Sequence, residues 1–447
     1  LKQKLKDRKF SRVVRLDVLN NYDRNVIKEL QKIFKIDDFN LMKLSKKSFL
    51  DLSSILQVVN YNEFSELLPK YPSSIKPFHL NEIHEKSIFQ ILSEKDIFLH
   101  HPYNSFDPVI KLLKEAAEDP DVLSIKITLY RTAKNSRVID ELLKAAENGK
   151  HVSVLFEVKA RFDEENNFKN GYKLEKAGCY VIYGIGSLKT HTKLLLIVRR
   201  EGKKVRNYAH MGTGNYNETT SKLYTDIGLM TSNKSYTKDA LKFFNVITGH
   251  SIPDDYENLL TAPNYMKDKI ISFIEKEIKN VKNGGIGKIC VKINSLQDKT
   301  VISKLYDASN AGVKICLIVR GICCLRPDRK NLSENIQVIS IVGDYLEHSR
   351  LYYFHNNNDP LIFSGSADVM IRSYKRRIES LFKINDEFIK KQAITILNYN
   401  LRDNVNSYVL QEDGSYKKKE FKKNNKFNIF EEFYSLNSEK IDDSIIL

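Results

Sequence analysis

An internal repeat constrains the fold of this chain more than any other sequence feature: an apolar pattern that starts at Val138 recurs 163 residues later, starting at Val301. Five residues of a predicted helix and its following turn recur in order: Val138, Ile139, Leu142, Ala145 and Gly149 become Val301, Ile302, Leu305, Ala308 and Gly312. An apolar run follows each helix, VSVLFEV in the first copy and KICLIVR in the second. Because strands that alternate with helices are typical of βαβ units, the sequence predicts two similar α/β domains.

Three segments are predicted along the chain. Residues 1–77 mix charged helical patterns with Pro-containing loops, so we expect the end of a helical domain whose N-terminal part is missing. After this point apolar, β-rich runs alternate with amphipathic helices. We therefore expect the first α/β domain over residues 78–258 and the second over residues 259–447.

Charge and cysteine content restrict the kind of partner and compartment. The formal net charge of +16 favours a polyanion, such as nucleic acid, anionic lipid or a phosphate polymer, without choosing among them. Five cysteines with no CxxC pair argue against a disulfide framework or a zinc site. No stretch approaches the roughly 20 apolar residues that span a bilayer, so we expect a cytoplasmic protein, with peripheral membrane association left open.

Polar residues repeat along with the apolar pattern. The first half contains THTK, with His191 and Lys193, followed by GTGN. The second half contains HSR, with His348 and Arg350, followed by GSAD. Residues two apart on a strand share a face, so each half offers a histidine beside a cation.

These paired motifs resemble the half-sites of the phospholipase D superfamily, in which two HxK motifs meet and one histidine becomes phosphorylated. Such a nucleophile needs a neutral imidazole nitrogen and cations that hold phosphate oxygens. The superfamily has an Asp five residues after the lysine, where this chain has Val198, and Arg350 replaces the second lysine. We therefore expect two phospholipase D-like domains without ordinary phosphodiesterase activity.

A more extensive resemblance connects the chain with the polyphosphate kinase family. From about residue 78 to at least residue 382, successive segments are similar to that family's signatures: HHPYNSFDPV, IKITLYRT, VKARFDEENN, YGIGSLKTHTK, HMGTGNYN, LYTDIGL, IVRGICCLRP, SIVGDYLEHSR and GSADVMIRSYKRRIES. The resemblance implies transfer of the terminal phosphate of ATP to inorganic polyphosphate, and back, through a phosphohistidine. It also implies an N-terminal domain that contributes to adenine binding and a helical domain that forms a homo-oligomer.

The resemblance also assigns site residues. Six positions correspond to the family's functional residues: Arg131, Arg161, His191, Tyr224, Arg320 and His348. Arginine side chains suit bidentate contacts with phosphate oxygens, and Tyr224 can stack on a base or donate to a phosphate. The family associates Arg131 and Arg161 with Mg²⁺. Because a guanidinium has no lone pair for a metal, we interpret this as Mg²⁺ held by phosphates beside the arginines.

The two histidines are expected to differ in protonation. His191 precedes an apolar strand, so a neutral ring and a nucleophilic role are predicted. His348 lies between Glu347 and Arg350, and the adjacent carboxylate is expected to favour a protonated ring that helps the leaving group. His210 and Asn215 are candidates for supporting positions, whereas His100 and His101 could shape a loop.

Two other interpretations remain open from the residues alone. One is a phospholipase D-like nuclease or lipid hydrolase, which Val198 argues against. The other is a basic polyanion-binding module without activity, although no sequence-specific nucleic-acid motif is present.

Overall fold

The computed structural model describes residues 11–45, 55–58, 61–68, 72, 86–157, 160, 163–249, 251, 255–421 and 423–447. Two compact units span Leu1–Pro72 and Ser73–Leu447. The boundary predicted near residue 258 divides the second unit and stays a prediction. Within the described ranges, no helix is long and apolar enough to cross a membrane.

The first unit contains a helix between two short strands. Strand β1 (Leu16–Leu19) pairs in parallel with β2 (Leu41–Leu44), and helix α1 (Arg24–Phe34) connects them. The Asp23 carboxylate caps α1 by accepting a hydrogen bond of 2.7 Å from the amide of Asn25. A short helix, α2 (Ile55–Val58), follows. Charged helical patterns predicted the helix, whereas the parallel strand pair was not expected.

The first half of the second unit is built around an eight-stranded sheet. Its helices are α3 (Ile88–Glu94), α4 (Asp107–Glu118), α5 (Arg137–Glu147), α6 (Glu164–Lys176) and α7 (Lys234–Ile247). The strands in this part of the sequence, all of which except β7 belong to this sheet, are β3 (Ile97–His101), β4 (Val122–Leu129), β5 (His151–Phe156), β6 (Tyr180–Tyr183), β7 (Lys189–Thr190), β8 (Leu194–Glu201), β9 (Lys204–Gly212) and β10 (Tyr224–Thr231). Strands β4, β5 and β6 run parallel, whereas β8, β9 and β10 are antiparallel neighbours.

The second half repeats this plan in a ten-stranded sheet. Its helices are α8 (Met266–Lys282), α9 (Lys299–Asn310), α10 (Ile371–Lys375), α11 (Glu387–Arg402) and α12 (Ile429–Glu432). The strands in this part of the sequence, all of which except β15 belong to this sheet, are β11 (Leu259–Ala262), β12 (Lys288–Ile293), β13 (Lys314–Val319), β14 (Ile336–Ile341), β15 (Leu346–Glu347), β16 (Leu351–Phe354), β17 (Leu361–Gly365), β18 (Arg377–Ile384), β19 (Ser407–Leu410) and β20 (Tyr416–Lys418). Strands β12, β13 and β14 form its parallel part.

The recurring apolar residues occupy equivalent helices. In α5 they are Val138, Ile139, Leu142 and Ala145, and all are buried; in α9 the buried residues include Val301, Ile302, Leu305 and Ala308. Each helix connects two parallel strands of its own sheet. The two similar α/β halves predicted from the repeat are therefore confirmed.

Two short strands cross between the sheets. Strand β7 belongs to the first half in sequence but pairs with β18 of the second sheet. Strand β15 belongs to the second half but pairs with β10 of the first sheet. Each short strand directly precedes one of the two motif histidines. Each histidine therefore follows a strand that is hydrogen-bonded to the sheet of the other half.

An apolar layer joins the two halves. One cluster of buried side chains includes Leu194 and Leu229 of the first half and Leu351 and Phe382 of the second. Helices α7 and α11 contribute further apolar side chains to the same cluster. At roughly 25 cal/mol for each Å² of buried apolar surface, such a shared layer strongly disfavours separation of the halves.

Candidate active site

His191 lies at the end of β7 and is oriented by the second half. Its amide donates a hydrogen bond of 2.9 Å to the carbonyl oxygen of Ile378 on β18. Its Nδ1 lies 2.9 Å from Oε2 of Glu379, the next residue on that strand. Both side chains are buried. If the carboxylate accepts the Nδ1 hydrogen, Nε2 keeps a free lone pair.

His348 repeats this arrangement with the halves exchanged. Its Nδ1 lies 2.8 Å from Oδ1 of Asp226 on β10, and its amide donates to Oγ1 of Thr225 at 3.1 Å. The Thr213 hydroxyl also donates to the same oxygen of Asp226, at 2.5 Å. Each motif histidine therefore bonds a carboxylate from the opposite half.

Sequence reasoning missed both carboxylates, although a signal was present. Asp226 lies eleven residues after Asn215, the last residue of GTGN, and Glu379 lies eleven residues after Asp368, the last residue of GSAD. This matched spacing continues the internal repeat. Only the histidines and cations of the repeat had roles predicted from the sequence.

The two motif cations are both buried beside their histidines. The Lys193 ammonium donates to the carbonyl oxygen of His191 and lies 5.3 Å from the ring centre of Tyr130. Arg350 donates to the carbonyl oxygen of His348 at 2.8 Å and forms an ion pair with Asp368 at 3.3 Å. The second turn, GSAD, thus supplies the counter-ion of its own half's cation.

Other predicted residues surround this pair of half-sites. The Tyr224 ring lies 5.4 Å from the His348 ring, centre to centre. Arg320 donates to Oδ1 of Asn294 at 2.5 Å. Arg131 forms an ion pair with Asp163 at 2.5 Å. Arg161 lies outside the described residues, so its assignment stays a prediction.

Two further arginines, Arg372 and Arg377, lie within GSADVMIRSYKRRIES and had no role predicted from the sequence. Arg377 lies 3.7 Å from Oε1 of Glu379. Arg372, on α10, has a lowered pKa, first because it is partly buried and then because Arg377 repels a second positive charge. Both follow GSAD: Arg372 lies on α10, Arg377 is the first residue of β18, and they enlarge the cationic lining of the site.

The His191 pKa lies well below its ordinary value. Burial is the main cause, and the positive charges of Lys193 and Arg377 act in the same direction. His191 is therefore neutral at neutral pH, as a nucleophilic imidazole requires.

The His348 pKa is also lowered by burial, but Asp226 opposes the shift both through its charge and through its hydrogen bond. Burial opposes ionisation of Asp226 too, yet its contacts with His348, Thr213 and Arg350 lower its pKa overall. The carboxylate that opposes this fall is thus Asp226, but the net pKa of His348 stays lowered, so the expected protonated ring stays a prediction.

The expectation that Glu347 would hold His348 was wrong in its geometry. Glu347 pairs with Lys292, with 2.7 Å between Oε2 and the ammonium nitrogen. Because neighbouring residues in an extended segment project to opposite sides, adjacency in sequence did not bring the two side chains together.

A titratable pair lies behind His191. Burial lowers the pKa of Lys193 to about 7, although Glu379 opposes this shift. Burial raises the pKa of Glu379 to about 7, although Arg377 and Lys193 oppose it. Lys193 is thus only partly protonated near neutral pH, and phosphate charge that enters the site would favour its ammonium form.

Direct metal ligation by the protein does not fit the described side chains. Across the parts of the chain that the structure describes, no three His, Cys, Asp or Glu residues form a group that could hold a metal ion. Arg131 has no lone pair to give.

Among the remaining motif residues, His210, His101 and Val198 have structural neighbours, whereas the buried side-chain oxygen of Asn215 accepts no hydrogen bond from any residue that the structure describes. His210 lies 2.8 Å from the hydroxyl of Tyr216, and burial lowers its pKa to about 3. His101 lies 2.7 Å from the carbonyl oxygen of Asn104, within a turn. Val198 lies on β8 between Ser124 and Asn207 of the neighbouring strands.

Two protein-family models match most of this second unit. The one described as Polyphosphate kinase C-terminal domain 1 matches residues 87–253. The one described as Polyphosphate kinase C-terminal domain 2 matches residues 259–429. The two matched ranges contain all the site residues described above.

Curated relatives and a solved structure agree with these matches. A polyphosphate kinase of Staphylococcus epidermidis is 44% identical over 420 residues, which are 92% of this chain and 56% of the relative. One of Halalkalibacterium halodurans is 45% identical over 425 residues, 93% of this chain and 59% of the relative. The crystal structure of polyphosphate kinase from Porphyromonas gingivalis has a TM-score of 0.84 at 35% identity, and the match covers 94% of this chain and 64% of that chain. The chain thus spans a little more than half the length of the curated relatives named here.

Proposed function

We propose that this chain, which belongs to the polyphosphate kinase family, carries the phosphoryl-transfer site of an ATP:polyphosphate phosphotransferase. The terminal phosphate of ATP passes to His191 and then to the end of a polyphosphate chain, and both steps are reversible. The observation that supports this proposal best is the reciprocal pairing of His191 with Glu379 and of His348 with Asp226.

His191 is the proposed nucleophile. Glu379 fixes the ring through Nδ1, and burial keeps the ring neutral, so Nε2 can attack the terminal phosphorus. A nitrogen–phosphorus bond forms while the bond from phosphorus to the bridging oxygen breaks, and ADP leaves with the electron pair. In the second step the terminal oxygen of polyphosphate attacks the phosphorus of the phosphohistidine. A phosphorus–oxygen bond forms while the nitrogen–phosphorus bond breaks, and its electron pair returns to Nε2 of His191.

His348 is the proposed helper of the leaving group. In this proposal His348 takes up a proton when the negative charge of bound phosphate, together with Asp226, offsets the lowering of its pKa by burial. The ring then gives that proton to the departing ADP oxygen or stabilises its charge. Tyr224, beside the same ring, is placed to contact the nucleotide. These roles explain why the two histidines need carboxylates in different electrostatic surroundings.

The cations are proposed to bind and neutralise phosphate oxygens. Lys193 and Arg350 lie beside the two histidines, and Arg320 and Arg131 extend the positive lining. Phosphoryl transfer depends mainly on such positioning and charge stabilisation, because the transferred group carries its charge on its outer oxygens. Arg161 is proposed for the same set.

Mg²⁺ is the proposed cofactor, bound through the substrate phosphates. When bound, it would neutralise phosphate charge; Arg131 and Arg161 would lie beside it without ligating it. We also propose ATP or ADP and polyphosphate as the partners, in a cytoplasmic homo-oligomer with no specific nucleic acid. Peripheral membrane association stays an open part of this proposal.

Labelling with γ-³²P-ATP and Mg²⁺ tests the proposal. Wild-type protein should acquire an acid-labile, base-stable label and lengthen polyphosphate. His191→Ala should lose label and turnover, whereas His348→Ala should lose turnover and keep slow labelling, because a helper is less indispensable than the nucleophile. His151→Ala, on an exposed position of β5, is the control and should behave as wild type.

Four results would count against the mechanism. Label mapped to His348 would reverse the roles of the histidines. Polymer synthesis without a covalent intermediate would contradict the two-step route. Hydrolysis of a phosphodiester without transfer would favour a phospholipase D-like enzyme, and polyanion binding without any chemistry would favour a binding module.

A further inference from the structure

A buried ion pair lies directly behind His348. Lys292, on β12, places its ammonium nitrogen 2.7 Å from Oε2 of Glu347, and the two side chains are 2% and 3% exposed. The same ammonium donates a hydrogen bond of 2.7 Å to Oγ of Ser349. Because Glu347 and Ser349 flank His348 in sequence, one cation holds both of its neighbours.

This ion pair is connected to the carboxylate that orients His348. Thr225 donates from Oγ1 to Oε2 of Glu347 at 3.1 Å and accepts from the amide of His348 at 3.1 Å. Thr225 directly precedes Asp226, which bonds the His348 ring. Contacts therefore run without interruption from Lys292 through Glu347 and Thr225 to the backbone of His348.

The first half has neutral residues at the equivalent positions. In the second half, Lys292 pairs with Leu351, which lies three residues after His348. In the first half, the position three residues after His191 is Leu194, and continuing the strand register places Thr128 opposite it. Thr128 is also buried, and its hydroxyl donates to the carbonyl oxygen of Thr192 at 2.9 Å. Thr190 precedes His191 as Glu347 precedes His348. The Lys292–Glu347 pair thus has no charged counterpart at these two positions, although the buried Glu157 carboxylate accepts a hydrogen bond of 2.8 Å from the amide of Thr190.

Stability alone is a poor explanation for these charges. Taking an ammonium and a carboxylate out of water is costly, and uncharged side chains often replace a buried pair without loss of stability. In the first half, an equivalent histidine segment is held by Thr128 and by a hydrogen bond from the Thr190 amide to Glu157, without a buried lysine–glutamate pair at these positions. The pair therefore has a property that neutral residues lack, which is a fixed and directional hold on the residues around His348.

We propose that Lys292 and Glu347 are positioning residues for His348. They hold its backbone against β10 so that the ring meets Asp226 and faces the leaving group. This inference rests on the proposed function, because it assigns the pair to the step in which ADP departs.

A double-mutant cycle tests the inference. The pair variant Lys292→Thr with Glu347→Thr installs the residues of the first half. Single-turnover labelling of His191 is measured in this variant, in His348→Ala and in the combination. We expect the labelling rate of the pair variant to be at least about 10-fold lower than that of wild type. In the His348→Ala background, the same pair of substitutions should lower the labelling rate by less than about 2-fold.

A steady-state measurement gives a second readout. The pair variant should lower kcat about 10-fold and change the KM for ATP by less than about 3-fold, because positioning for chemistry is lost and ground-state binding is kept. Lys267→Met, which removes a different ion pair, 2.9 Å from Asp298, should leave both constants unchanged. If the pair variant fails to fold in thermal melting, Glu347→Gln replaces it with the same expectations.

The outcomes separate this inference from the proposed function. Equal losses of labelling rate in both backgrounds, or a raised KM with an unchanged kcat, would overturn the positioning role. A pair variant whose His191 is labelled at the same rate as in wild type would also overturn it. Absence of label and polymer synthesis in wild type would contradict the proposed function itself.

Discussion

At the scale of single residues, position relative to a strand decides which side chains share an environment. The sequence identified His191, His348 and their cations because residues two apart project to the same side. It misjudged the partner of His348 because Glu347 projects to the opposite side, where it meets Lys292. Asp226 and Glu379 come from distant segments, and pairing across the halves brings them to the histidines.

Lys193 gives a prediction about stability and pH. Its folded pKa of about 7 lies below the unfolded value of about 10.4. Between pH 7.5 and 9.5 the folded state therefore binds fewer protons than the unfolded state, so this lysine makes stability rise with pH. Relative to Lys193→Met, wild type should gain about 2 kcal/mol across this range.

Urea unfolding of both proteins at several pH values measures this difference. Lys203→Met, at an exposed position in the β8–β9 turn, serves as the control and should follow the wild-type profile. Parallel profiles for wild type and Lys193→Met would contradict the lowered pKa.

At the scale of elements, the predicted βαβ units were recognisable because their helices and strands are long enough to show a period. Strands β7 and β15 contain two residues each, and no periodicity can show in so short a segment. Their pairing across the halves depends on the packed sheets. The contacts that orient the histidines were for this reason beyond prediction from sequence.

Gly365 supplies an element-scale prediction. It ends β17 with a φ of +153°, and an added Cβ would lie 2.2 Å from the carbonyl oxygen of Ser380 on β18. Gly365→Ala should therefore push β18 away and displace Glu379, which precedes Ser380. We expect a loss of unfolding free energy of roughly 2–3 kcal/mol, as for other overpacked sites, and slower labelling of His191.

Gly202→Ala is the matched control for this substitution. Gly202 also has a positive φ, of 61°, but an added Cβ there meets no atom within 4 Å. It should cost about 1 kcal/mol of unfolding free energy and leave labelling unchanged. Equal effects of the two alanines on labelling would show that the approach of β17 to β18 does not position Glu379.

At the scale of the whole molecule, the net charge of +16 and the buried cations have different consequences. Exposed positive charge attracts any polyanion, whereas cations converging on two histidines should favour a narrow chain with a charge on every phosphorus. We expect tighter binding to long-chain polyphosphate than to single-stranded DNA at matched salt, with both affinities falling as salt rises.

Competition titration at two salt concentrations measures this preference. Lys417→Glu with Lys418→Glu, on the exposed strand β20, is the control: it should weaken both ligands similarly and keep the preference. DNA binding as strong as polyphosphate binding would contradict a polyphosphate-selective site.

The exchange of β7 and β15 has a consequence for inheritance. Consider recombination between the genes of two relatives with a crossover near the middle of the chain. It separates both histidines from their carboxylates at the same time. Both pairs in the resulting chimera are then of mixed parentage. The two halves are consequently expected to diverge as a linked unit, with substitutions around one histidine compensated in the other half rather than nearby in sequence.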